Sequence, residues 1–275
     1  MILLPFPRGC DSFIQYLSAI QSRVAVAFSG GVDSTFLLKI AVHACRGPVV
    51  PFLMVSPFLS GAERRRAHSA AEEIGVRLYE IQWDPLSFSD IVENGILRCY
   101  YCKKHMYNIL KSTASGFGLY HIMDGTQHDD LSAHRPGIQA ILEHGIDMPL
   151  AHLCFTKQKI RNLSREIGLS TWNRHSQSCL ATRIDVGKPV TGEQLATIQI
   201  MEDFLRGLAV KPVRFCVSTD RAVLKVSRGS LALVKRNWNR VYDFAAQNGF
   251  REIVLSDNYL VGNEEPGPSN ETPGK

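Results

Sequence analysis

Apolar runs alternate with helically spaced apolar residues along the first part of the chain. Val24–Phe28 and Val49–Val55 are apolar runs, which are typical of strands buried on both faces of a parallel sheet. Between them, the spacing predicts a helix over Ser34–Cys45. The same patterns predict three further elements: a helix over Ala62–Ile74 closed by Gly75, and strands over Val76–Ile81 and Tyr120–Met123. Repeated strand–helix units of this length predict an α/β fold with a doubly wound, Rossmann-like parallel sheet.

The pattern changes after about Trp172, where a second, smaller α/β domain is predicted. Thr191 and Gln194 fit a capping box that opens a helix running to about Leu205. The later elements are a hairpin of strands over Val213–Val217 and Ala222–Val226 around Ser218–Arg221, a helix near Leu231–Ala246, and a strand over Glu252–Leu255. We therefore predict a large domain over residues 1–174, a small domain over 175–262, and a disordered tail over 263–275, which is rich in Pro, Gly, Asn and Glu.

Charge and composition restrict the kinds of partner and the cellular compartment that we expect. Charged residues make up 21% and apolar residues 45% of the chain, as in an ordinary globular protein. No apolar run is long enough to span a bilayer, and Met1–Pro7 is too short and too weakly basic for a signal peptide, so we expect a cytoplasmic protein. The net charge of +5 suits an anionic partner, but no Lys/Arg block is dense enough to indicate nucleic acid. In a reducing compartment the seven cysteines are expected to be packing residues, metal ligands or catalytic groups.

A glycine-rich loop lies between the first predicted strand and the first predicted helix. Glycines let backbone amides approach an anion closely, and the exposed amides at a helix start add partial positive charge. The loop lacks the Gly-Lys-Ser/Thr ending of kinase-type loops, so it offers no lysine to a γ-phosphate. We therefore predict a phosphate-binding loop made of Ser29, Gly30, Gly31, Val32, Asp33 and Ser34.

Two other predicted strand ends should line the same crevice, because ligands of open α/β sheets bind beyond the carboxyl ends of the strands. Ser56 follows the second strand, where backbone groups could hold an adenine base. Asp124, Gly125 and Thr126 follow the fourth strand, and this position favours a binding role over that of a simple turn. A polar segment at residues 128–137, which we interpret as a loop, is expected to line the site as well.

Cys99 and Cys102 are spaced within one helical turn, ahead of a basic helix. Arg98, Lys103 and Lys104 should lower the pKa values of both thiols by favouring the thiolates. The spacing fits a zinc site, a redox couple, half of an iron–sulfur site or two buried packing residues, so four interpretations stay open.

A third thiol, Cys179, lies near the predicted domain junction, which is a usual place for an active site. Arg183 is close to it in the sequence and could stabilise a thiolate or bind a phosphate. Lys157 and Lys159 lie at a predicted helix start, where lysines are unfavourable unless an anion lies close.

The loop at residues 29–34 resembles that of the PP-loop, or N-type ATP pyrophosphatase, superfamily. The resemblance implies ATP as a cofactor, cleavage between its α- and β-phosphates, and pyrophosphate held by the loop. It also implies that Asp33 acts in catalysis by holding Mg²⁺ near the leaving pyrophosphate, where the metal offsets the developing charge.

Several blocks together resemble one branch of this superfamily, the LarE family. The loop alone points to the superfamily, whereas the Cys-Leu-Ala-Thr-Arg and Arg-Pro-Gly blocks are specific to the branch. The blocks, which span most of the chain, are Ala27–Ser34, Arg98–Lys103, Asp124–Thr126 with Asp129 and Asp130, Arg135–Gly137, Thr156–Lys157 with Ile160–Arg161, and Ser178–Arg183.

The LarE family makes the organic part of the nickel-pincer nucleotide cofactor of lactate racemase. The resemblance implies that a carboxylate of pyridinium biscarboxylic acid mononucleotide is adenylated and then converted to a thiocarboxylate. Two sources of sulfur fit. In one, the Cys179 thiolate attacks the acyl-adenylate and later loses its own sulfur, leaving dehydroalanine. In the other, which the Cys-x-x-Cys pair favours, Cys99, Cys102 and Cys179 hold a 4Fe–4S cluster whose open iron carries an extra sulfide.

The resemblance also assigns substrate contacts. The residues assigned to the substrate are Arg98, Asp129, Asp130, Arg135 and Arg214. The chain departs from the family in the small domain, where Cys216 replaces the second arginine of an Arg-x-Arg pair and Ser218-Thr219 replaces a His-Gly pair. The family further implies a homo-oligomer built on the small domain, whereas the sequence does not indicate the sulfur donor.

Three other functions fit parts of this pattern. A tRNA thiolase uses the same loop and often cysteine pairs, but it would need a dedicated RNA-binding domain or zinc ribbons, which the sequence lacks. An amidating ligase would need a glutamine-hydrolysing domain, which is not visible in the sequence. A non-enzymatic iron–sulfur or nucleotide-binding scaffold would bind ATP without releasing pyrophosphate.

Overall fold

The computed structural model describes residues 6–132, 136–175, 178–218, 221–256 and 260. The chain forms two compact units. The first unit runs to Ala181 and also takes in Val186–Leu195, and the second consists of Thr182–Asp185 and the chain from Ala196 onward. The boundary predicted after residue 174 therefore precedes the point at which the first unit ends. The predicted tail lies outside the described residues.

A four-stranded parallel sheet forms the centre of the first unit. Its strands are β1 (Val24–Ala27), β2 (Val49–Val55), β3 (Tyr79–Gln82) and β4 (His121–Asp124), in the order β3-β2-β1-β4. The predicted α/β fold with a parallel sheet is confirmed. β3 begins later than predicted, because Val76 and Leu78 pack against the core without pairing to β2.

Both faces of this sheet are buried, which explains the apolar run of β1. Consecutive side chains of a strand point to opposite faces. Val24 and Val26 belong to one hydrophobic cluster with Phe36, whereas Ala25 belongs to another with Tyr107. Burial on both sides thus requires apolar residues at consecutive positions.

Helices flank this sheet. In chain order they are α1 (Asp11–Ser18), α2 (Val32–Ala44), α3 (Gly61–Ile74), α4 (Ser89–Val92), α5 (Arg98–Gly116), α6 (His128–Ser132), α7 (Pro136–Glu143), α8 (Pro149–His152) and α9 (Lys157–Glu166). Helix α3 confirms the prediction, since Ser60 and Glu63 form a capping box at its start and Gly75 ends it in the left-handed conformation. No helix in the described part of the chain is both long and apolar enough to cross a membrane.

Helix α10 (Gly192–Gly207) begins as predicted, because Thr191 and Gln194 exchange the two hydrogen bonds of a capping box. The second unit contains a three-stranded sheet. β5 (Val213–Ser218) pairs antiparallel with β6 (Arg221–Val226), and β6 pairs parallel with β7 (Glu252–Leu255). The predicted hairpin strands and the predicted last strand are therefore confirmed.

The single helix predicted near Leu231–Ala246 is wrong. The structure has two helices there, α11 (Leu231–Arg236) and α12 (Trp238–Gln247). Asn237 separates them with φ −103° and ψ 15°, and its side-chain amide donates a hydrogen bond to the Leu233 carbonyl at 2.9 Å. An Asn side chain that bonds to nearby backbone competes with continuation of a helix.

Candidate functional site

The predicted phosphate-binding loop connects β1 to α2. Gly31 takes the N-cap position of α2 and has no side chain that could satisfy the first amides of the helix. The loop folds around its own hydroxyl groups: the Oγ atoms of Ser29 and Ser34 lie 3.1 Å apart, and the Gly31 amide donates to Ser29 Oγ at 3.4 Å. A helix start of this kind, at the end of a buried strand, favours an anion.

Two glycines allow this loop to pack closely against its neighbours. Gly30 has φ +69°, and a Cβ atom there would lie 2.5 Å from the Cα of Ala67 in α3. A Cβ on Gly125, just after β4, would lie 2.9 Å from the amide nitrogen of Ser34. The structure therefore brings the segment after β4 against the start of α2. β1 and β4 are neighbours at the point where the strand order reverses, which is where ligands of such sheets bind.

Gly30→Ala should destabilise the protein by about 3 kcal/mol, because it adds both left-handed strain and a clash with the backbone of Ala67. Gly75→Ala is the matched control. Gly75 has φ +86°, but no atom lies within 4 Å of the position that its Cβ would take, so only the strain of about 1 kcal/mol applies. Urea unfolding of both variants measures the difference. Equal losses would contradict the close packing of the loop on α3.

Asp33, the predicted metal ligand, lies in the first turn of α2 and is largely buried. Its Oδ2 atom pairs with the ammonium of Lys157 at 2.5 Å. Its Oδ1 atom is buried and has no hydrogen-bond partner among the described residues. Burial raises the pKa of Asp33, and Asp130 adds to this, whereas Lys157 and Arg161 oppose it. The carboxylate thus has an unused oxygen and too little compensating charge, a situation that a bound cation would relieve.

The lysines at the start of α9 were predicted to need a nearby anion. The protein supplies the anions itself. Asp33 binds the Lys157 ammonium, and Asp129 Oδ2 accepts a hydrogen bond from the Lys157 amide at 2.8 Å. Thr156 caps the helix by accepting a hydrogen bond from the Lys159 amide at 3.3 Å.

The segment that carries Asp129 was predicted as a loop, but residues 128–132 form α6. Helix α7 then begins at Pro136, a favourable residue for a first helical turn.

Asp124 is held at the end of β4 by four neighbouring groups. The Tyr107 hydroxyl donates to its Oδ2 at 2.6 Å, and the Lys103 ammonium lies 4.0 Å from the same atom. Thr126 donates to Oδ1 through both its amide, at 2.8 Å, and its hydroxyl. Burial alone would raise the pKa of Asp124, but Lys103 and these hydrogen bonds outweigh it and lower the pKa. Asp124 is therefore a fixed, ionised group close to the phosphate loop.

An arginine that the sequence analysis missed contacts the phosphate loop. Arg174 donates to the Gly30 carbonyl at 3.1 Å. Arg161 donates to the carbonyls of Trp172 and Arg174, at 2.9 and 2.7 Å, and so fixes the turn that carries Arg174. Nothing local in the sequence marks Arg174, because the contact joins residues 144 positions apart. Lys157, Arg161 and Arg174 together place positive charge around the loop.

The three candidate sulfur-site cysteines gather in the first unit. Cys99 and Cys102 are the second and fifth residues of α5. The pKa of Cys102 is raised to about 12, mainly by burial and further by the nearby thiols of Cys179 and Cys99, so the three thiols are close enough for their charges to interact. The predicted lowering of the pKa is therefore wrong for Cys102, because burial outweighs Arg98 and Lys103. A pKa of about 12 does not suit a redox couple at neutral pH.

These thiols are neighbours without forming a compact metal cage. Within the described ranges, no group of three or more His, Cys, Asp or Glu side chains is arranged to hold a metal ion. The segment that carries Cys179 is held in place on both sides of Leu180. The Leu180 amide donates to the Phe58 carbonyl at 2.9 Å, and Arg98 donates to the Ala181 carbonyl at 2.9 Å. The fold, rather than a preformed metal site, thus brings Cys179 towards Cys102.

The other predicted site residues lie in several parts of the fold. Ser56 accepts a hydrogen bond from the Phe58 amide at 3.2 Å at the end of β2. Arg98 is buried and also bonds to Asn94, and Arg214 lies on β5 in the second unit. Arg183, in the second unit, is buried and pairs through two nitrogens with Glu202, at 2.8 and 3.3 Å. The ligand roles of these residues stay predictions, and Arg135 lies outside the described residues.

Comparison with known proteins places the chain in a family. No family model matches it. It is 35% identical over 246 residues to the uncharacterized protein slr1717 of Synechocystis sp., covering 85% of this chain and 92% of that protein. It is 31% identical over 251 residues to the pyridinium-3,5-bisthiocarboxylic acid mononucleotide synthase of Lactiplantibacillus plantarum, covering 91% of this chain and 90% of that protein. The protein MJ0830 of Methanocaldococcus jannaschii is 26% identical over 234 residues, covering 85% of this chain and 89% of that protein. The chain belongs to the family of the Lactiplantibacillus synthase, the LarE family.

Proposed function

We propose that this protein is an ATP-dependent sulfurtransferase that adenylates a carboxylate of pyridinium biscarboxylic acid mononucleotide and converts it to a thiocarboxylate. The reaction would serve synthesis of the nickel-pincer nucleotide cofactor. The name of the Lactiplantibacillus relative, which describes synthesis of the bisthiocarboxylic acid, supports the substrate. The observation that carries the proposal is that one compact unit holds both a phosphate-type loop and three interacting thiols. The phosphate loop would bind ATP for activation of the carboxylate, and the thiols would take part in the transfer of sulfur.

The activation step needs groups that bind the phosphates and neutralise charge on the leaving pyrophosphate. Gly31 and the amides at the start of α2 are suited to the phosphates, and Arg174 adds a cation at the Gly30 carbonyl. The free Oδ1 atom of Asp33 suits Mg²⁺, which is usually bound by one or two carboxylates together with substrate phosphates. When bound, Mg²⁺ would offset the charge that develops on pyrophosphate.

In this step a carboxylate oxygen of the substrate attacks the α-phosphorus of ATP. The bond from that phosphorus to the bridging oxygen breaks, and pyrophosphate leaves with the electron pair. The product is a mixed anhydride whose acyl carbon is open to a sulfur nucleophile. Attack by sulfur then expels AMP, so each thiocarboxylate formed consumes one ATP.

For the sulfur source we propose that Cys99, Cys102 and Cys179 hold a 4Fe–4S cluster. Their mutual influence on the pKa of Cys102 supports a shared site, and ligation to iron would stabilise a thiolate that burial otherwise disfavours. Such clusters are held by cysteine thiolates, so three thiols would leave one iron without a protein ligand. When bound, the cluster would supply sulfide to the acyl carbon. Loss of sulfur from Cys179 alone is the alternative, and it needs neither Cys99 nor Cys102.

Cys99→Ala separates the two routes. With three cluster ligands, we expect the variant to lose multiple-turnover thiocarboxylate formation by more than about tenfold, together with its iron, in protein purified without oxygen. Cys154→Ala is the control, because Cys154 is also exposed but lies outside the three-cysteine group. Iron and sulfide analysis and mass spectrometry of the product provide the readout. A Cys99→Ala variant with full multiple-turnover activity would rule out the three-ligand cluster.

A further inference from the structure

The ion pair between Asp33 and Lys157 joins two residues 124 positions apart across the phosphate loop. Both side chains are mostly shielded, with 22% of Asp33 and 28% of Lys157 exposed. The ammonium contacts Oδ2 of Asp33, while Oδ1 stays buried and without a partner in the described part of the chain. Asp33 is thus only half satisfied by the lysine, although a carboxylate this shielded needs compensation at both oxygens.

Lys157 is anchored independently of its side chain. Its amide donates to Asp129, and Thr156 caps the same helix, so the backbone at the start of α9 is fixed. The ammonium lies at the end of a flexible four-carbon stem with three donors. It can therefore change partner by rotation of its side chain alone, without a shift of α9.

A divalent cation on Asp33 and the ammonium at 2.5 Å from the same carboxylate compete for one group. Both are positive, and Asp33 is shielded, so the like charges would repel each other strongly in this position. An ammonium displaced from Asp33 needs a new anion. The phosphates that the loop is suited to bind are the nearest anions expected at this strand end.

We infer that Asp33 exchanges cations: Lys157 neutralises it in the nucleotide-free protein, and on nucleotide binding Mg²⁺ takes the carboxylate while the Lys157 ammonium moves to the nucleotide phosphates. The inference rests on the proposed function for the identity of the nucleotide. Lys157 is then both a placeholder for the metal and a phosphate ligand. The exchange would keep the loop's charge balanced before and after binding.

Metal-free ATP binding tests the exchange in a double-mutant cycle. Binding is measured by calorimetry in the presence of a chelator, for the wild type, Asp33→Asn, Lys157→Met and the double variant. Asp33→Asn frees the lysine, so we expect metal-free ATP to bind about tenfold more tightly, which is about 1.4 kcal/mol. In the Lys157→Met background the same Asp33→Asn change should alter binding less than about twofold. With Mg²⁺ present, Asp33→Asn should instead weaken ATP binding.

The cycle distinguishes two reasons for tighter ATP binding by Asp33→Asn. One is release of the Lys157 ammonium, and the other is loss of the repulsion between the Asp33 carboxylate and the phosphates. If Asp33→Asn tightens metal-free ATP binding by equal factors in both backgrounds, repulsion explains the effect and the exchange is wrong. Lys159→Met is the matched control, because Lys159 lies on the same helix but contacts the ring of Phe155 at 3.7 Å rather than an acid. It should leave the Asp33→Asn effect at its wild-type size. Lys157→Gln, which is neutral but can still donate to Asp33, replaces Lys157→Met if that variant unfolds. No ATP binding by the wild type with Mg²⁺ present would instead count against the proposed function.

Discussion

Cys179→Ala should abolish thiocarboxylate formation while leaving pyrophosphate release that depends on the pyridinium nucleotide. Both sulfur routes require this thiol, either as the attacking group or as a cluster ligand. The phosphate loop, Asp33 and Lys157 form their own contacts without Cys179. The acyl-adenylate should therefore still form, and the product signal should fall to background. Mass spectrometry of the product, beside a pyrophosphate assay on the same sample, separates the two steps.

Cys45→Ala is a suitable control for this variant. Cys45 is partly buried at the end of α2, and burial alone raises its pKa to about 11, so it behaves as a packing thiol. Its replacement should leave both the pyrophosphate and the thiocarboxylate signals unchanged. Thiocarboxylate formed at the wild-type rate by Cys179→Ala would show that sulfur comes from elsewhere in the protein or directly from solution.

Asp33→Ala should lower pyrophosphate release by at least about a hundredfold, because it removes the only carboxylate in the loop itself and with it the proposed metal ligand. The fold should persist. The pKa of Asp33 is raised in the folded protein, so above that pKa the ionised side chain costs stability that the alanine variant regains. The same change leaves the Lys157 ammonium without its acidic partner, which offsets this gain, so we expect a melting temperature close to that of the wild type.

Asp11→Ala is the matched control for Asp33→Ala. Asp11 also lies in the first turn of a helix, α1, but it is exposed and lies outside the loop. Its replacement should leave pyrophosphate release intact. Release at the wild-type rate by Asp33→Ala would contradict the metal-binding role that we propose for this carboxylate.

The sequence predicted those parts of the fold that depend on local patterns. The apolar run of β1, the capping box at Thr191 and the left-handed Gly75 are each encoded within a few residues. The break at Asn237 was missed, because apolar spacing continues across it and the side-chain hydrogen bond that accompanies the break is not visible in that spacing. The loop at residues 29–34 was correctly placed between a strand and a helix, and its phosphate-binding role stays a prediction.

The electrostatics of the site could be predicted only in part. Asp33 was identified from its motif, but its partner Lys157 comes from a distant helix, and Arg174 has no motif at all. The pKa of Cys102 was expected to be low because of basic neighbours in the sequence. Its actual environment is set by burial beside Cys179, which only the fold reveals.

Membership of the LarE family argues against the tRNA thiolase alternative. The remaining question is whether one site both activates a carboxylate and transfers sulfur to it. The most direct measurement incubates protein purified without oxygen with Mg²⁺, ATP and pyridinium biscarboxylic acid mononucleotide, and follows pyrophosphate and product mass together. We predict pyrophosphate release that requires the pyridinium nucleotide. It should be matched by a product in which sulfur replaces one carboxylate oxygen of that nucleotide. Pyrophosphate release without that nucleotide, or an unaltered nucleotide after release, would contradict the proposal.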